Sequence, residues 1–236
     1  MQDYTNIKRD MEFEIIKENN PALTFRVQSV IGKFDLQGEK FTQVFKGNIE
    51  LDDNWQIGLI VGNSGTGKTT IAKQLFPDSY ITDFKYSDSA IIDEIGKSES
   101  VDDIVRMFNS VGFSSPTSWL KPYSVLSNGE KMRVDLANAL LNENKLIVFD
   151  EFTSVVDRNI AKIGSYAVQK SIRKSDKKFI AVGCHFDIEE WIQPDWVFNT
   201  NTMDFYVPQK KNLKSNMNYG KQWINQYGSC LVNTTI

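Results

Sequence analysis

The sequence predicts an α/β fold built on a mainly parallel central sheet, with an N-terminal antiparallel β-subdomain and a short inserted helical subdomain. Three observations carry that prediction. Short apolar strands recur at Ile57–Val61, Leu146–Phe149 and Phe179–Cys184. The last two are each preceded by a segment of helical periodicity, roughly Glu130–Leu141 and Asn159–Ile172, and strands alternating with helices imply parallel pairing with helices on the sheet faces. A chain of 236 residues with 41% hydrophobic residues is long enough to bury one such core.

Taken in order, residues from about Thr24 to Ile60 read as several short β-segments separated by turn-rich breaks, including IGKFDLQGEKF and LDDNW, and end in the strand Ile57–Val61. A glycine loop and then a helix follow. Between Tyr80 and Ser127 the pattern changes to short helices, such as Ser89–Ile95 and Val101–Val111, with no convincing central strand. This region reads as a helical subdomain, about 85–142, inserted into one domain spanning 1–207. The remaining 208–236 form a polar tail that carries Tyr219, Trp223 and Tyr227, either a loose extension or a docking segment.

Composition narrows the partners. A formal charge of −3 gives no global electrostatic reason to expect nucleic acid or an anionic membrane. Cys184 and Cys230 stand far apart with no Cys or His cluster, which suggests neither a disulfide framework nor a zinc site and fits a reducing, cytoplasmic setting. The charged N-terminus lacks an apolar signal region, and no apolar run approaches membrane-spanning length, so no direct membrane insertion is expected.

The chemistry starts at Gly62-Asn63-Ser64-Gly65-Thr66-Gly67-Lys68-Thr69, followed by Thr70, which fits the phosphate-loop pattern G-x-x-x-x-G-K-[ST] between an apolar strand and an amphipathic helix. Glycines let successive N–H groups point inward, and the helix N-terminus adds its dipole at the same spot. ATP is the expected ligand, with Lys68 reaching its β- and γ-phosphates and the Thr69 hydroxyl completing the coordination of Mg²⁺.

Further along, Leu126-Ser127-Asn128-Gly129-Glu130 opens a helix with Ser127 as N-cap. Asp150 ends an apolar strand 23 residues after Ser127, Glu151 follows directly, Asp157 lies seven residues after Asp150, and His185, the only histidine, ends the next strand. In this ordered set the chain resembles the ABC (ATP-binding cassette) superfamily of ATPases, over about Phe34 to His185. The resemblance implies ATP hydrolysis between two head-to-tail copies. Asp150 would hold Mg²⁺ mainly through its coordinated water, Glu151 would be the general base, and His185 would contact the γ-phosphate. Ser127, Asn128 and Gly129 would serve the ATP of the partner protomer, and Asp157 would sit across the same interface. Phe34 lies at about the separation at which this family stacks an aromatic ring on adenine, and it reads equally well as a core residue of the β-subdomain.

The chain also departs from the family. Its signature is LSNGE rather than LSGGQ, and with Lys131 it looks more like the SMC-type chromosome and DNA-repair ATPases than the transporters. Phe152 stands where transporters usually have proline, Lys68 to Ser127 is only 59 residues, and no glutamine follows Gln74 in that interval. The leading expectation is therefore a homodimeric ATPase that drives or gates an effector protein or domain, DNA-associated or related to phages and mobile elements. The alternatives are the nucleotide-binding subunit of a membrane transporter and a nucleotide-dependent scaffold with little turnover.

Overall fold

The computed structural model describes residues 9–36, 41–81 and 84–209. The tail beyond 209, with Tyr219, Trp223, Tyr227 and Cys230, lies outside the described residues. In chain order the elements are β1 (Arg9–Asn19), α1 (Phe25–Lys33), β2 (Phe41–Leu51), β3 (Ile57–Val61), α2 (Lys68–Leu75), β4 (Tyr80–Ile81), α3 (Ile91–Glu94), α4 (Val101–Ser110), α5 (Pro116–Trp119) and α6 (Asn128–Leu141). They continue with β5 (Leu146–Phe149), α7 (Arg158–Ile172), β6 (Lys178–Gly183), α8 (Ile188–Ile192), β7 (Trp196–Asn199) and β8 (Asp204–Tyr206).

Among the described residues the central sheet has six strands in the order β4-β5-β6-β3-β7-β8, and only the β7–β8 pair is antiparallel. All five residues of β3 are buried, as a strand in the middle of a two-sided sheet requires. Its side chains alternate between two cores. Ile57, Leu59 and Val61 join Phe179 and Ala181 of β6 in a core covered by α6 and α7, whereas Ile60 joins Ile180, Val182 and Phe198 in a second core closed by α2 and by β1 and β2. Each buried valine, leucine, isoleucine or phenylalanine here contributes about 1.5–3 kcal/mol relative to exposure.

The β-subdomain differs from its sequence expectation. β1 and β2 form one antiparallel hairpin, paired from Arg9↔Leu51 to Asn19↔Phe41, and their connection contains the helix α1 rather than further strands. Phe13 of β1 packs edge-on against Phe198 at 5.6 Å, while Glu12 and Glu14 face outward, a period-2 pattern that the surrounding charges hide. The β-branched Val27, Val30 and Ile31 read as strand, yet Thr24 caps a helix there by accepting from the Val27 N–H at 3.3 Å, and none of the helix is buried. The inserted segment folds as expected into short helices, with Ile91, Ile95, Ile104, Phe108, Phe113 and Trp119 joining the α6–α7 core. Before it, Tyr80–Ile81 adds a short edge strand where no strand was expected.

One polar cluster pins β3 and β7 at the end remote from the glycine loop. Asp195 accepts from the Gln56 and Ile57 N–H groups at 2.8 and 3.0 Å and from both ends of the Arg173 guanidinium at 2.6 and 2.9 Å. Burial alone would push its carboxyl up; the hydrogen bonds from Arg173, Gln56 and Ile57 and the arginine charge outweigh that and hold it below the usual carboxylate range. A carboxyl lowered on folding contributes stability above the unfolded pKa of about 4 and loses it as pH falls through the folded value. Replacing Asp195→Asn is expected to lower unfolding free energy by about 2 kcal/mol at pH 7. In urea unfolding the gap between wild type and variant should shrink below about pH 4.

Candidate functional site

The C-terminal ends of β3, β5 and β6 lie at one edge of the sheet, because Val61 pairs with Gly183 and Phe149 with Ala181 in parallel register. In open α/β sheets that edge is where ligands bind. The glycine loop leaves β3 there and turns into α2. Gly65 and Gly67 adopt φ of 84° and 89°, and a Cβ on Gly67 would sit 2.5 Å from the Phe45 ring of β2, so both backbone angle and space demand glycine at the start of the helix. Lys68 is buried, and its Nζ donates to the Asn63 carbonyl at 2.8 Å across the loop. An ammonium has three donors, so two remain for an anion lying in the loop.

Two residues that sequence reasoning missed brace this loop. Thr200, just past β7 and buried, bonds its Oγ1 to Thr66 Oγ1 at 2.6 Å, and Asn201 Oδ1 accepts from the Asn63 N–H at 2.8 Å. A Cβ on Gly62 would lie 2.2 Å from Thr200 Oγ1. The only sequence signal is a polar Asn-Thr-Asn run after an apolar strand, which reads as an ordinary turn.

Asp150 follows β5 and meets the first turn of α2. Its Oδ2 accepts from Thr69 Oγ1 at 2.8 Å and also from the Tyr80 hydroxyl, and its Oδ1 accepts from the Glu151 N–H at 2.9 Å. Burial first, and then the bond to Asp150 and its charge, raise the Tyr80 phenol well above its ordinary value. Thr69 and Asp150 fit Mg²⁺: the threonine gives its proton to the carboxylate and keeps a lone pair free, and Mg²⁺ is commonly held by one or two carboxylates together with phosphate oxygens. Among the described residues there is no cluster of three or more His, Cys, Asp or Glu that could hold a metal unaided.

Glu151 is exposed at the sheet edge with φ of 50°, and Thr153 follows at φ of 66° with its Oγ1 buried and unbonded. Positive φ is unusual outside glycine and costs about 1–3 kcal/mol, a kind of strain that clusters at functional sites. The turn is held by the Phe152 N–H, which donates to the Val182 carbonyl at 2.8 Å, and by the Phe152 ring against Phe149 and Phe179. That packing explains an aromatic residue at 152. His185 is half-buried two residues beyond the end of β6.

Ser127 and Asn128 are exposed at the start of α6, where Ser127 forms a capping box with Glu130: Glu130 Oε2 accepts from the Ser127 N–H at 2.9 Å and from its hydroxyl at 2.8 Å. These bonds hold the Glu130 carboxyl low. Gly129 faces the start of α7, where a Cβ would meet Ile160 at 2.8 Å. Asp157 caps α7, accepting from the Asn159 and Ile160 N–H groups at 2.9 and 3.1 Å. Arg158 then reaches Asp187 with two guanidinium nitrogens and lies over the Trp191 ring, tying the turn after β5 to the one after β6. Phe34 is 65% exposed at the C-cap of α1, so it belongs to neither a strand nor a core.

The family model described as the NB-ARC domain matches residues 39–174. Among curated proteins, the ABC multidrug transporter atrC of Emericella nidulans is 36% identical over 59 residues, 25% of this chain and 5% of that protein, so the chain spans only a small part of the length of the first relatives it matches. The energy-coupling factor transporter ATP-binding protein EcfA of Malacoplasma penetrans is 24% identical over 229 residues, covering 81% of this chain and 77% of its own. A solved structure of cbiO1 from Clostridium perfringens, part of the ABC transporter complex cbiONQ, superposes with a TM-score of 0.52 at 18% identity over 66% of this chain and 77% of that one. The fold is therefore that of the ABC-type P-loop ATPases. These relatives lend no support to the SMC-type reading of the LSNGE signature or to a DNA-associated effector, and that expectation is set aside.

The bracing of the loop is open to test. Thr200→Val keeps the shape but removes the bond to Thr66, and amide exchange across residues 62–67 should quicken by about tenfold or less, the equivalent of roughly 1 kcal/mol. Unchanged exchange would show that the Thr200–Thr66 bond does not hold the loop.

Proposed function

The chain belongs to the NB-ARC domain family, and we propose that it is an ATPase of the ABC type that binds ATP with Mg²⁺ and hydrolyses it between two head-to-tail copies. The observation that carries the reading is the meeting of Thr69 and Asp150 beside the glycine loop, with Glu151 next in the chain and exposed at the same sheet edge. The loop N–H groups and Lys68 bind and orient the phosphates. Thr69 and Asp150 hold Mg²⁺, which when bound supplies charge neutralisation on the phosphate oxygens. Glu151 orients a water and takes its proton as the water oxygen bonds to the γ-phosphorus and the bond to the ADP oxygen breaks. His185 contacts the γ-phosphate from the end of β6.

Ser127, Asn128 and Gly129 serve the nucleotide on the partner copy. The exposure of Ser127 and Asn128 at a helix N-terminus supports this, since such an end attracts phosphate. Asp157 lies across the same interface, and Phe34, its ring in solvent, is left available to stack on adenine. The effector is a membrane transport subunit. The transporter proteins among the relatives favour it, and so does the folded helical insertion, which offers a docking body despite the short interval between loop and signature.

Lys68→Ala is expected to remove most ATP binding, and unchanged affinity by titration calorimetry would sink the assignment of the loop. Glu151→Gln is expected to keep ATP binding while slowing turnover by about a hundredfold or more, trapping an ATP-bound dimer visible by light scattering. Turnover near the wild-type rate would remove Glu151 as the base; a wild type that binds ATP without measurable turnover would favour the scaffold alternative. Mixing Lys68→Ala with Ser127→Arg should restore part of the activity, because one composite site in the heterodimer carries neither change. Full activity of Ser127→Arg alone would reduce the signature segment to a helix cap.

A further inference from the structure

Among the described residues, the Tyr80 hydroxyl is the group at the metal-holding carboxylate that the proposed mechanism leaves without a task. Tyr80 opens β4 and pairs with Val148 of β5, two residues before Asp150. Its ring packs beside the second core, with Lys73 Nζ of α2 4.9 Å from the ring centroid. A phenylalanine would serve that packing equally well. The hydroxyl instead donates to Asp150 Oδ2, which already accepts from Thr69 Oγ1 at 2.8 Å.

Counting lone pairs gives the consequence. A carboxylate oxygen has two lone-pair directions in its plane. Thr69 and Tyr80 take both on Oδ2, and the Glu151 N–H takes one on Oδ1, so a single direction, on Oδ1, is left. We propose that Tyr80 is a positioning residue for a divalent cation: by sharing Oδ2 with Thr69 it fixes the rotation of the Asp150 carboxylate and leaves Oδ1 alone to receive Mg²⁺ or one of its waters. This rests on the reading of Thr69 and Asp150 as the Mg²⁺-holding pair. It also gives the edge strand β4 a stake in the metal site, since the chain runs from Ile81 toward the helical insertion. Without the hydroxyl, Asp150 is free to turn its second Oδ2 lone pair to water, and the ordering cost falls on metal binding.

Tyr80→Phe separates this role from packing. ATP affinity would be measured by titration calorimetry in EDTA and across a Mg²⁺ series, on wild type and variant, together with the melting temperature in each condition. The expected result is ATP affinity in EDTA within twofold of wild type, with the Mg²⁺ concentration for half-maximal enhancement of ATP binding raised about three- to tenfold, the effect of one hydrogen bond. The rise in melting temperature on adding Mg²⁺ to the ATP-bound protein should shrink correspondingly, which needs no turnover. A purely structural tyrosine would lower melting temperature equally in EDTA and Mg²⁺ and leave the Mg²⁺ midpoint where it is; that outcome overturns the proposal while leaving the ATPase reading intact. A wild type whose ATP affinity ignores Mg²⁺ overturns the reading of Thr69 and Asp150 as the Mg²⁺-holding pair, and the proposal with it.

Discussion

Thr69 and Asp150 stand 81 residues apart in the chain, and the 2.8 Å bond between them is the contact on which the geometry of the site depends. It joins the first turn of α2 to the end of β5, elements that share no direct strand pairing, since β6 lies between β5 and β3. The bond can form only because the parallel register brings the C-terminal ends of β3, β6 and β5 level at one edge. In that register the side chains of each strand alternate between two cores, Leu59 and Ala181 entering one and Ile60 and Val182 the other. A slip of one residue would exchange those faces and carry Asp150 away from the loop.

The central part of this arrangement was legible in the sequence because it is local. The apolar runs at 57–61 and 146–149 and the helices α4, α6 and α7 appear within a residue or two of the positions their periodicity implies, and Ser127 acts as the N-cap its type suggests. The N-terminal region was misread for the opposite reason. In β1 the inward Phe13 and Ile15 alternate with charges that look like a solvated arm, and the β-branched residues of α1 favour strand until the Thr24 cap is known.

What stayed hidden in the site was contributed from a distance. Thr200 and Asn201 lie more than 130 residues from the loop they brace, and no spacing rule ties a turn after an edge-proximal strand to a glycine loop near the start of the chain. Tyr80 escaped for a related reason: its strand is two residues long and gives no periodic signal, so only the pairing with β5 reveals what its hydroxyl reaches. Motifs record the groups that a ligand touches; the polar groups that hold those motifs in place carry no such signature.

The capping box at the head of α6 has a consequence for timing. A serine hydroxyl has one proton to give, and in this structure Ser127 gives it to Glu130. Any new acceptor must therefore take over that proton, leaving the Glu130 carboxylate with the Ser127 N–H, while the Glu130 N–H still donates to Ser127 Oγ. The exchange costs roughly one neutral-to-charged hydrogen bond, about 1.5–3 kcal/mol, before the new contact returns anything. Ser127 thus gives up its proton only to an acceptor that competes well with a carboxylate.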